Sequence, residues 1–188
     1  MTTGPARPAG PDDGEGGPAD PRLVAALEAF DAGAAVMPQD LLGRWRGSEV
    51  PTGHPMDGLL EAYRWWGKEF RSTEDVDPLL FAGRDGTVRA LDPRLLPLAV
   101  AARGWAPRSA ALGRVVAVAH PLLATRRPRA RVRETEVRGV VGAAMVYDHL
   151  PVVDAFRRVG GTAGEEELLG LMDRRGDRVP FLFRLRRA

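Results

Sequence analysis

The chain has no cysteine among its 188 residues, and this absence removes several kinds of chemistry. Disulfide bonds, thiolate nucleophiles and zinc–sulfur sites all require cysteine. Histidine is scarce as well: His54, His120 and His149 stand far apart, each close to a proline. We predict that all three lie in proline-containing turns, and their spacing gives no support to a metal or haem site. No metal and no cofactor are expected.

Long apolar runs are missing too. No segment approaches the roughly 20 consecutive apolar residues that a membrane-spanning helix needs, so stable membrane insertion is not expected. Residues 1–18 lack a basic region followed by an apolar stretch, so nothing there marks the chain for secretion. They are mostly glycine, proline and acidic residues, a composition typical of a disordered tail. We therefore expect a cytoplasmic protein.

Lysine occurs once, at Lys68, so nearly all of the 27 basic residues are arginine. They are almost balanced by 25 acidic residues, which leaves a formal net charge of +2. The basic cluster at 126–133 has no interleaved aromatic residues for base stacking and is typical of a solvated loop that leads into a strand. There is no glycine-rich phosphate loop and no Gly-X-Ser-X-Gly motif. Nucleic acid is therefore not an expected partner.

The length suits one domain, preceded by a short helix predicted over residues 19–34. Asp20 can cap this helix, Pro21 fits its first position and Gly33 follows its end. Its apolar residues share one face, so we expect it to dock on the rest of the chain.

From residue 41 the pattern alternates, with Trp45 on one face and Arg44 and Arg46 on the other, which predicts a strand. Over residues 57–66 the apolar spacing becomes that of a helix, with Asp57 as its N-cap, and we expect this helix to form a lid after the first strand. Residues 78–91 predict a hairpin around an Arg-Asp-Gly turn. The segment 92–104, broken by Pro97, predicts a helical or irregular cover.

The C-terminal third predicts five consecutive strands with short turns between them. Their ranges are 130–139, 140–148, 151–159, 166–173 and 180–187. Antiparallel strands joined by tight turns form a sandwich or close on themselves, and closure removes exposed edges. The sequence therefore predicts a mainly β fold, an antiparallel closed barrel, over residues 41–187. A strand that begins Gly-X-Trp, a helix soon after it and a meander of strands resemble the lipocalin or calycin plan. In that plan a tryptophan on the first strand packs near an arginine on the last, as Trp45 and Arg187 are placed to do.

Several segments resemble the GXWXG-motif family, namely GRWRG (43–47), TGHPMDG (52–58) and WWGKEF (65–70). Others resemble the domain of unknown function usually joined to it, namely RGVVGAAMVYDHLPVVDAFRRV (138–159), LLGLMDRRG (168–176) and PFLFRLRR (180–187). The resemblance implies a bacterial, lipocalin-like barrel with a GXWXG-like half at 41–100 and a C-terminal half at 129–187. It also implies binding of lipidic or other small apolar molecules.

Three side chains are candidates for chemistry. Lys68 is a compact charge that could hold a ligand carboxylate or phosphate or form an imine, or it could be a solvated residue that opens a strand. His54 could act as an acid or base at a pocket mouth, or could bind the backbone of its turn. Asp154 shares a face with Phe156; if that face points inward, its carboxylate needs a partner such as Arg157, His54 or Lys68.

We predict a pocket wall from apolar and aromatic side chains at strand or helix spacing. Together with His54 and Lys68, its members are Tyr63, Trp66, Phe70, Met145, Tyr147, Phe156, Met172 and Phe183. The first hypothesis is a protein that binds a small apolar ligand, such as a fatty-acyl or phospholipid-like molecule, in the barrel. The alternative is a cofactor-free isomerase or cyclase in which His54, Lys68 and Asp154 move protons. The oligomeric state stays open.

Overall fold

The computed structural model describes residues 20–95, 109–160 and 166–188. The predicted tail at 1–18 and most of the predicted cover at 92–104 lie outside them. The helices of the described chain are α1 (Pro21–Ala32), α2 (Leu59–Ala62), α3 (Ala110–Leu123) and two short 3₁₀ helices, Pro38–Leu41 and Pro93–Leu95. Its strands are β1 (Ala34–Ala35), β2 (Gly43–Glu49), β3 (Trp65–Phe70), β4 (Val76–Ala82), β5 (Val88–Ala90), β6 (Ala130–Val137), β7 (Val140–Tyr147), β8 (Val152–Gly160), β9 (Glu167–Arg174) and β10 (Phe181–Arg187).

Eight strands form a closed antiparallel ring in the order β2, β3, β4, β6, β7, β8, β9, β10, and β10 returns to pair with β2. β5 adds to the side of β4, and β1 adds to β8. Each ring strand pairs with the next ring strand along the chain, which is the up-and-down arrangement of lipocalin barrels. The predicted mainly β, antiparallel, closed barrel is therefore confirmed.

Apolar side chains form two clusters, one inside the ring and one outside it. The inner cluster takes alternate residues of the strands, such as Phe181, Phe183 and Leu185 of β10, while Arg184 and Arg186 point away. The outer cluster lies between α1 and the outer faces of β8, β9 and β10. Because α1 buries its apolar face there, it covers the barrel wall without entering the barrel.

The predicted helix α1 is present, with the Asp20 side chain accepting a hydrogen bond from the backbone of Arg22. The five C-terminal strands lie within two residues of their predicted bounds. Their turns are short, so strict inside–outside alternation was enough to locate them.

The predicted helix over 57–66 is wrong in its extent. α2 has four residues, and β3 already begins at Trp65. Asp57 does not cap it; the Asp57 carboxylate accepts hydrogen bonds from the backbone of Thr52 and Gly53, which closes the turn after β2. The Glu49 carboxylate instead accepts from backbone N–H groups at the start of α2. There it satisfies N–H groups that have no acceptor within the helix.

Two glycines allow β2 and β3 to approach closely. A Cβ on Gly47 would lie 2.4 Å from the Trp65 ring, so the motif glycine makes room for that indole. Gly67 has φ +145°, and a Cβ there would lie 1.9 Å from the Trp45 carbonyl oxygen. The register between β3 and β4 shifts around Gly67, so β3 contains an irregularity that alternation cannot reveal.

No element is predicted for the segment that forms α3, and the prediction that His120 lies in a turn is wrong. His120 is inside α3, directly before Pro121, fully buried with its ring 5.7 Å from that of Phe81. Burial lowers the pKa of His120 below its ordinary value. Over the part of the chain that the structure describes, none of these helices combines the length and hydropathy required to cross a bilayer.

Candidate functional site

An ion pair crosses the interior of the barrel. Lys68 Nζ of β3 lies 2.9 Å from Asp154 Oδ2 of β8, and the two residues are 2 % and 0 % exposed. β3 and β8 are four strands apart in either direction around the ring, so the pair links opposite walls. Of the three partners proposed for Asp154 from the sequence, Lys68 is the one that the fold brings to it.

Aromatic rings surround the Lys68 ammonium. Its Nζ lies 4.8 Å from the ring centroid of Phe183, 5.6 Å from that of Trp65 and 5.8 Å from that of Tyr147. The same nitrogen donates a hydrogen bond of 3.1 Å to the carbonyl oxygen of Pro78. Ring faces attract a cation, and the attraction grows when water is excluded. The charge is thus held by one carboxylate, one carbonyl and three aromatic rings.

Burial changes the acidity of the groups around this pair. It raises the pKa of Asp154 above its ordinary value, while the Lys68 ammonium acts against the rise. Burial also raises the pKa of the Tyr147 phenol well above its ordinary value, and the nearby Asp154 carboxylate adds to this. Tyr147 is therefore a neutral phenol at physiological pH, available as a hydrogen-bond donor or acceptor.

Part of the hydrogen-bonding capacity of the interior is unused. Among the residues that the structure describes, Asp154 Oδ1 and the indole N–H of Trp65 have no hydrogen-bond partner, although both are buried. An unsatisfied buried polar group costs about 1–3 kcal/mol, so proteins usually supply a partner. The Asp154 carboxylate and the Trp65 indole N–H therefore have unused hydrogen-bonding capacity.

His54 is buried but belongs to another part of the molecule. Its Nδ1 accepts a hydrogen bond from the Met56 backbone, its Nε2 is 4.0 Å from Asp177 Oδ2, and its ring contacts Phe181 edge-on. Burial lowers the pKa of His54 below its ordinary value, opposed by Asp177. The geometry matches the turn-binding interpretation. In the described structure His54 contacts neither Lys68 nor Asp154, so these three do not form the predicted proton-transfer set.

Most of the predicted wall residues do face the interior, and one does not. Those in the inner apolar cluster are Phe70, Met145, Tyr147, Phe156 and Phe183, with Tyr63 and Met172 packed against it. Trp66 is wrong as a wall residue. Its ring lies on the outer surface, with the guanidinium carbons of Arg44 and Arg46 4.8 and 5.3 Å from its centroid. The β3 irregularity places Trp65 inside and Trp66 outside, the opposite of the helical prediction.

The predicted contact between the first and last strands of the ring is present. The guanidinium carbon of Arg187 lies 4.4 Å from the Trp45 ring centroid, and these residues pair directly across β2 and β10. Arg187 also donates to the carbonyl oxygens of Leu42 and Asp40. The Trp45 indole N–H is satisfied by the Leu41 carbonyl at 2.7 Å. Arg187 thus covers one end of the interior.

Sequence reasoning missed Trp65 as a member of the site. The doubled tryptophan indicates that one of two adjacent indoles faces inward, but alternation from Lys68 and Phe70 selects Trp66. The irregularity around Gly67 brings Trp65 inside instead, and no local pattern reveals it. Within the described ranges, 20–95, 109–160 and 166–188, no cluster of His, Asp and Glu could hold a metal ion.

Comparisons with known proteins bear on the whole barrel. Residues 28–86 match the family model described as GXWXG protein, and residues 128–187 match the Domain of unknown function (DUF4334). A crystal structure of a protein from Thermomonospora curvata is similar over 88% of this chain and 86% of that chain, at 29% sequence identity and a TM-score of 0.64. No curated protein matches.

Proposed function

The chain belongs to the GXWXG family and carries a C-terminal domain of unknown function, and we propose that its barrel binds one small, largely apolar ligand. The ligand's apolar part, such as a fatty-acyl chain, contacts the inner cluster, and its polar group meets Lys68 and Asp154. A bacterial source and a cytoplasmic location, both expected from the sequence, form part of this proposal.

One observation carries the proposal: Asp154 Oδ1 is fully buried and has no hydrogen-bond partner in the described residues, directly beside the Lys68 ammonium. The inner cluster of apolar and aromatic side chains, which includes Phe183 and Tyr147, lies around this pair. A few convergent polar groups in an apolar enclosure are typical of small-molecule sites, because the polar groups orient the ligand while the apolar wall supplies affinity.

Native mass spectrometry of the purified protein, with mass analysis of an organic extract, tests the proposal. We expect a discrete mass increment that matches a small apolar compound in the extract. Lys68→Met should lose it, whereas Arg138→Met, which alters an exposed ion pair with Asp31, should retain it. If the protein carries no ligand and binds no member of an apolar compound panel, the proposal is wrong.

Convergence of Lys68, Asp154 and Tyr147 also favours a second function, a cofactor-free enzyme that moves protons on an apolar substrate. A neutral phenol and a carboxyl group of raised pKa at one place can donate and accept protons. His54 has no part in this version. Deuterium exchange distinguishes the two functions. A bound compound that gains carbon-bound deuterium in D₂O, and loses this exchange in Asp154→Asn, supports the enzyme; exchange at the buffer rate excludes it.

A further inference from the structure

The charges inside the barrel cancel. Lys68 contributes one positive charge and Asp154 one negative charge, at 2.9 Å from each other. Tyr147 stays neutral, because burial and Asp154 both raise the pKa of its phenol. No third charged side chain among the described residues forms an ion pair with either member of the pair. Among the residues that the structure describes, this pair therefore presents no net charge to a ligand.

A charged ligand would disturb this balance. A carboxylate placed at the Lys68 ammonium would also lie next to the Asp154 carboxylate, and like charges repel strongly where water is excluded. An amine placed at Asp154 would meet the Lys68 ammonium in the same way. Either ligand would also lose its own hydration on entering the apolar enclosure. Binding of a ligand carboxylate or phosphate by Lys68, one of the possibilities raised from the sequence, is therefore unfavourable in this arrangement.

The unused hydrogen-bonding positions of Lys68 and Asp154 indicate which polar group of a ligand would fit between them. Asp154 Oδ1 is an open acceptor. An ammonium has three N–H donors, and the oxygen contacts of Lys68 in the described structure go to Asp154 and Pro78. A ligand group that donates one hydrogen bond and accepts another would satisfy both residues. Alcohols and primary or secondary amides have this property without carrying charge.

We propose that the interior site selects uncharged amphiphiles whose polar group both donates and accepts a hydrogen bond, and discriminates against carboxylates and amines of the same chain. This inference rests on the proposed ligand-binding function and specifies the class of ligand. The ion pair is a hydrogen-bonding site without net charge, in which Lys68 donates a hydrogen bond to the ligand and Asp154 accepts one from it.

A matched series with one eight-carbon chain tests the selectivity: octanol, octanamide, octanoate and octylamine, titrated into the full-length protein at pH 7 by calorimetry. We expect octanol and octanamide to bind about tenfold or more tightly than octanoate and octylamine. Trp65 beside Lys68 gives an independent fluorescence reading of occupancy.

Charge-changing variants should reverse the preference. Asp154→Asn leaves the Lys68 charge unmatched, so octanoate should gain about tenfold or more over octanol. Lys68→Met leaves Asp154 alone, so octylamine should gain over octanol. Lys68→Met keeps the test valid if Asp154→Asn does not fold, because a lone buried carboxyl group can take up a proton. When octylamine binds, the Asp154 carboxyl group gives up that proton and pairs as a carboxylate with the ammonium of the ligand. Circular dichroism and thermal melts verify folding in each case.

The outcomes separate this inference from the function on which it rests. If the wild-type protein binds octanoate as tightly as octanol, or if neither folded variant shifts the preference, the inference is wrong and ligand binding stands. If no member of the series binds and native mass spectrometry also finds no ligand, the proposed function fails as well. If all four compounds bind with the same affinity, and that affinity is unchanged in Lys68→Met, the ligand binds elsewhere on the protein. Both the inference and the proposed function are then wrong.

Discussion

Ion pairs inside and outside the barrel differ in their surroundings more than in their lengths. Lys68 and Asp154 lie 2.9 Å apart with both side chains almost completely buried. Arg138 and Asp31, which join β-barrel and α1 on the outside, lie 2.6 Å apart with both side chains 42% exposed. The members of an exposed pair also interact with water, so the pair contributes little to stability. Each member of a buried pair depends on its partner for the stabilisation that water would have supplied.

The two kinds of basic residue are divided in the same way between the inside and the outside of the barrel. The single lysine of the chain is inside, and the many arginines lie mostly on the surface, where a planar guanidinium can bind two acceptors at once. Arg184 and Arg186, for example, share the Glu167 carboxylate on the outer face of β9 and β10. In this fold the burial of an ion pair, rather than the number of pairs, is therefore expected to set the loss of stability when one partner is removed.

The largest effect should come from breaking the inner pair. Asp154→Ala leaves the Lys68 ammonium buried without a carboxylate, and we expect a loss of about 3–5 kcal/mol in the free energy of unfolding. Urea denaturation measures it. The control is Asp31→Ala, which breaks the exposed pair with Arg138 and should cost less than about 1 kcal/mol. Equal losses would show that burial does not separate the two kinds of pair.

Removing both inner charges should not destabilise the protein as removing one of them does. In the double variant Lys68→Met, Asp154→Leu, apolar side chains replace the pair, and the desolvation of two ions no longer opposes folding. We expect stability equal to that of the wild type or higher by about 1–4 kcal/mol. The same variant should lose the proposed ligand. A double variant as unstable as Asp154→Ala would mean that the pair is needed for packing rather than for function.

Arg187 is intermediate in exposure between the buried pair and the exposed pair, because it lies partly covered at the end of the barrel. Arg187→Ala removes the stacking on Trp45 and the hydrogen bonds to the Leu42 and Asp40 carbonyls, and we expect a loss of about 1–2 kcal/mol. Thermal denaturation of this variant beside Arg187→Lys checks the geometry. Lysine keeps the charge without the planar group, so near-complete rescue by lysine would contradict a stacking contribution.

The smallest predicted effect depends on pH and concerns His54. Its pKa is lowered in the folded state, so the unfolded chain takes up the proton first as the pH falls. The contribution of neutral His54 to stability is therefore full above about pH 6.5 and declines as the pH falls from there through the folded-state pKa. His54→Asn keeps an acceptor for the Met56 backbone but cannot titrate.

Melting temperatures measured from pH 8 to pH 5 should therefore decline less steeply in His54→Asn than in the wild type. Identical slopes would mean that His54 takes up its proton equally in both states. The slope that remains in the variant includes His120, whose pKa burial also lowers.

Much of the fold was predictable because the strands of the C-terminal half alternate regularly and their turns are short. The same alternation put Lys68 and Glu69 on opposite faces, and in the structure Lys68 is buried while Glu69 lies outside, 3.7 Å from Arg44. It also put Asp154 on one face with Phe156, and in the structure both residues are buried. These assignments need only a local pattern.

The errors arose where a distant contact decides the local structure. Leu59, Leu60, Tyr63 and Trp66 have helical spacing, yet β3 begins at Trp65 because Gly67 packs against the Trp45 backbone. Likewise, nothing local distinguishes Lys68 from His54 or Arg157 as the partner of Asp154. That choice depends on which strands face each other across the ring, which the sequence reveals only after the closure is known.

That closure also joins the two family segments into one cooperative unit. The ring strands of residues 28–86 pair with those of 128–187 at two places, β4 with β6 and β2 with β10, so neither segment forms a ring alone. Each separated segment would expose unpaired strand edges. Since the β2–β10 seam pairs residues from opposite ends of the sequence, its contact order is high, and we expect it to limit the rate of folding. The two halves should then gain native structure only when they are mixed.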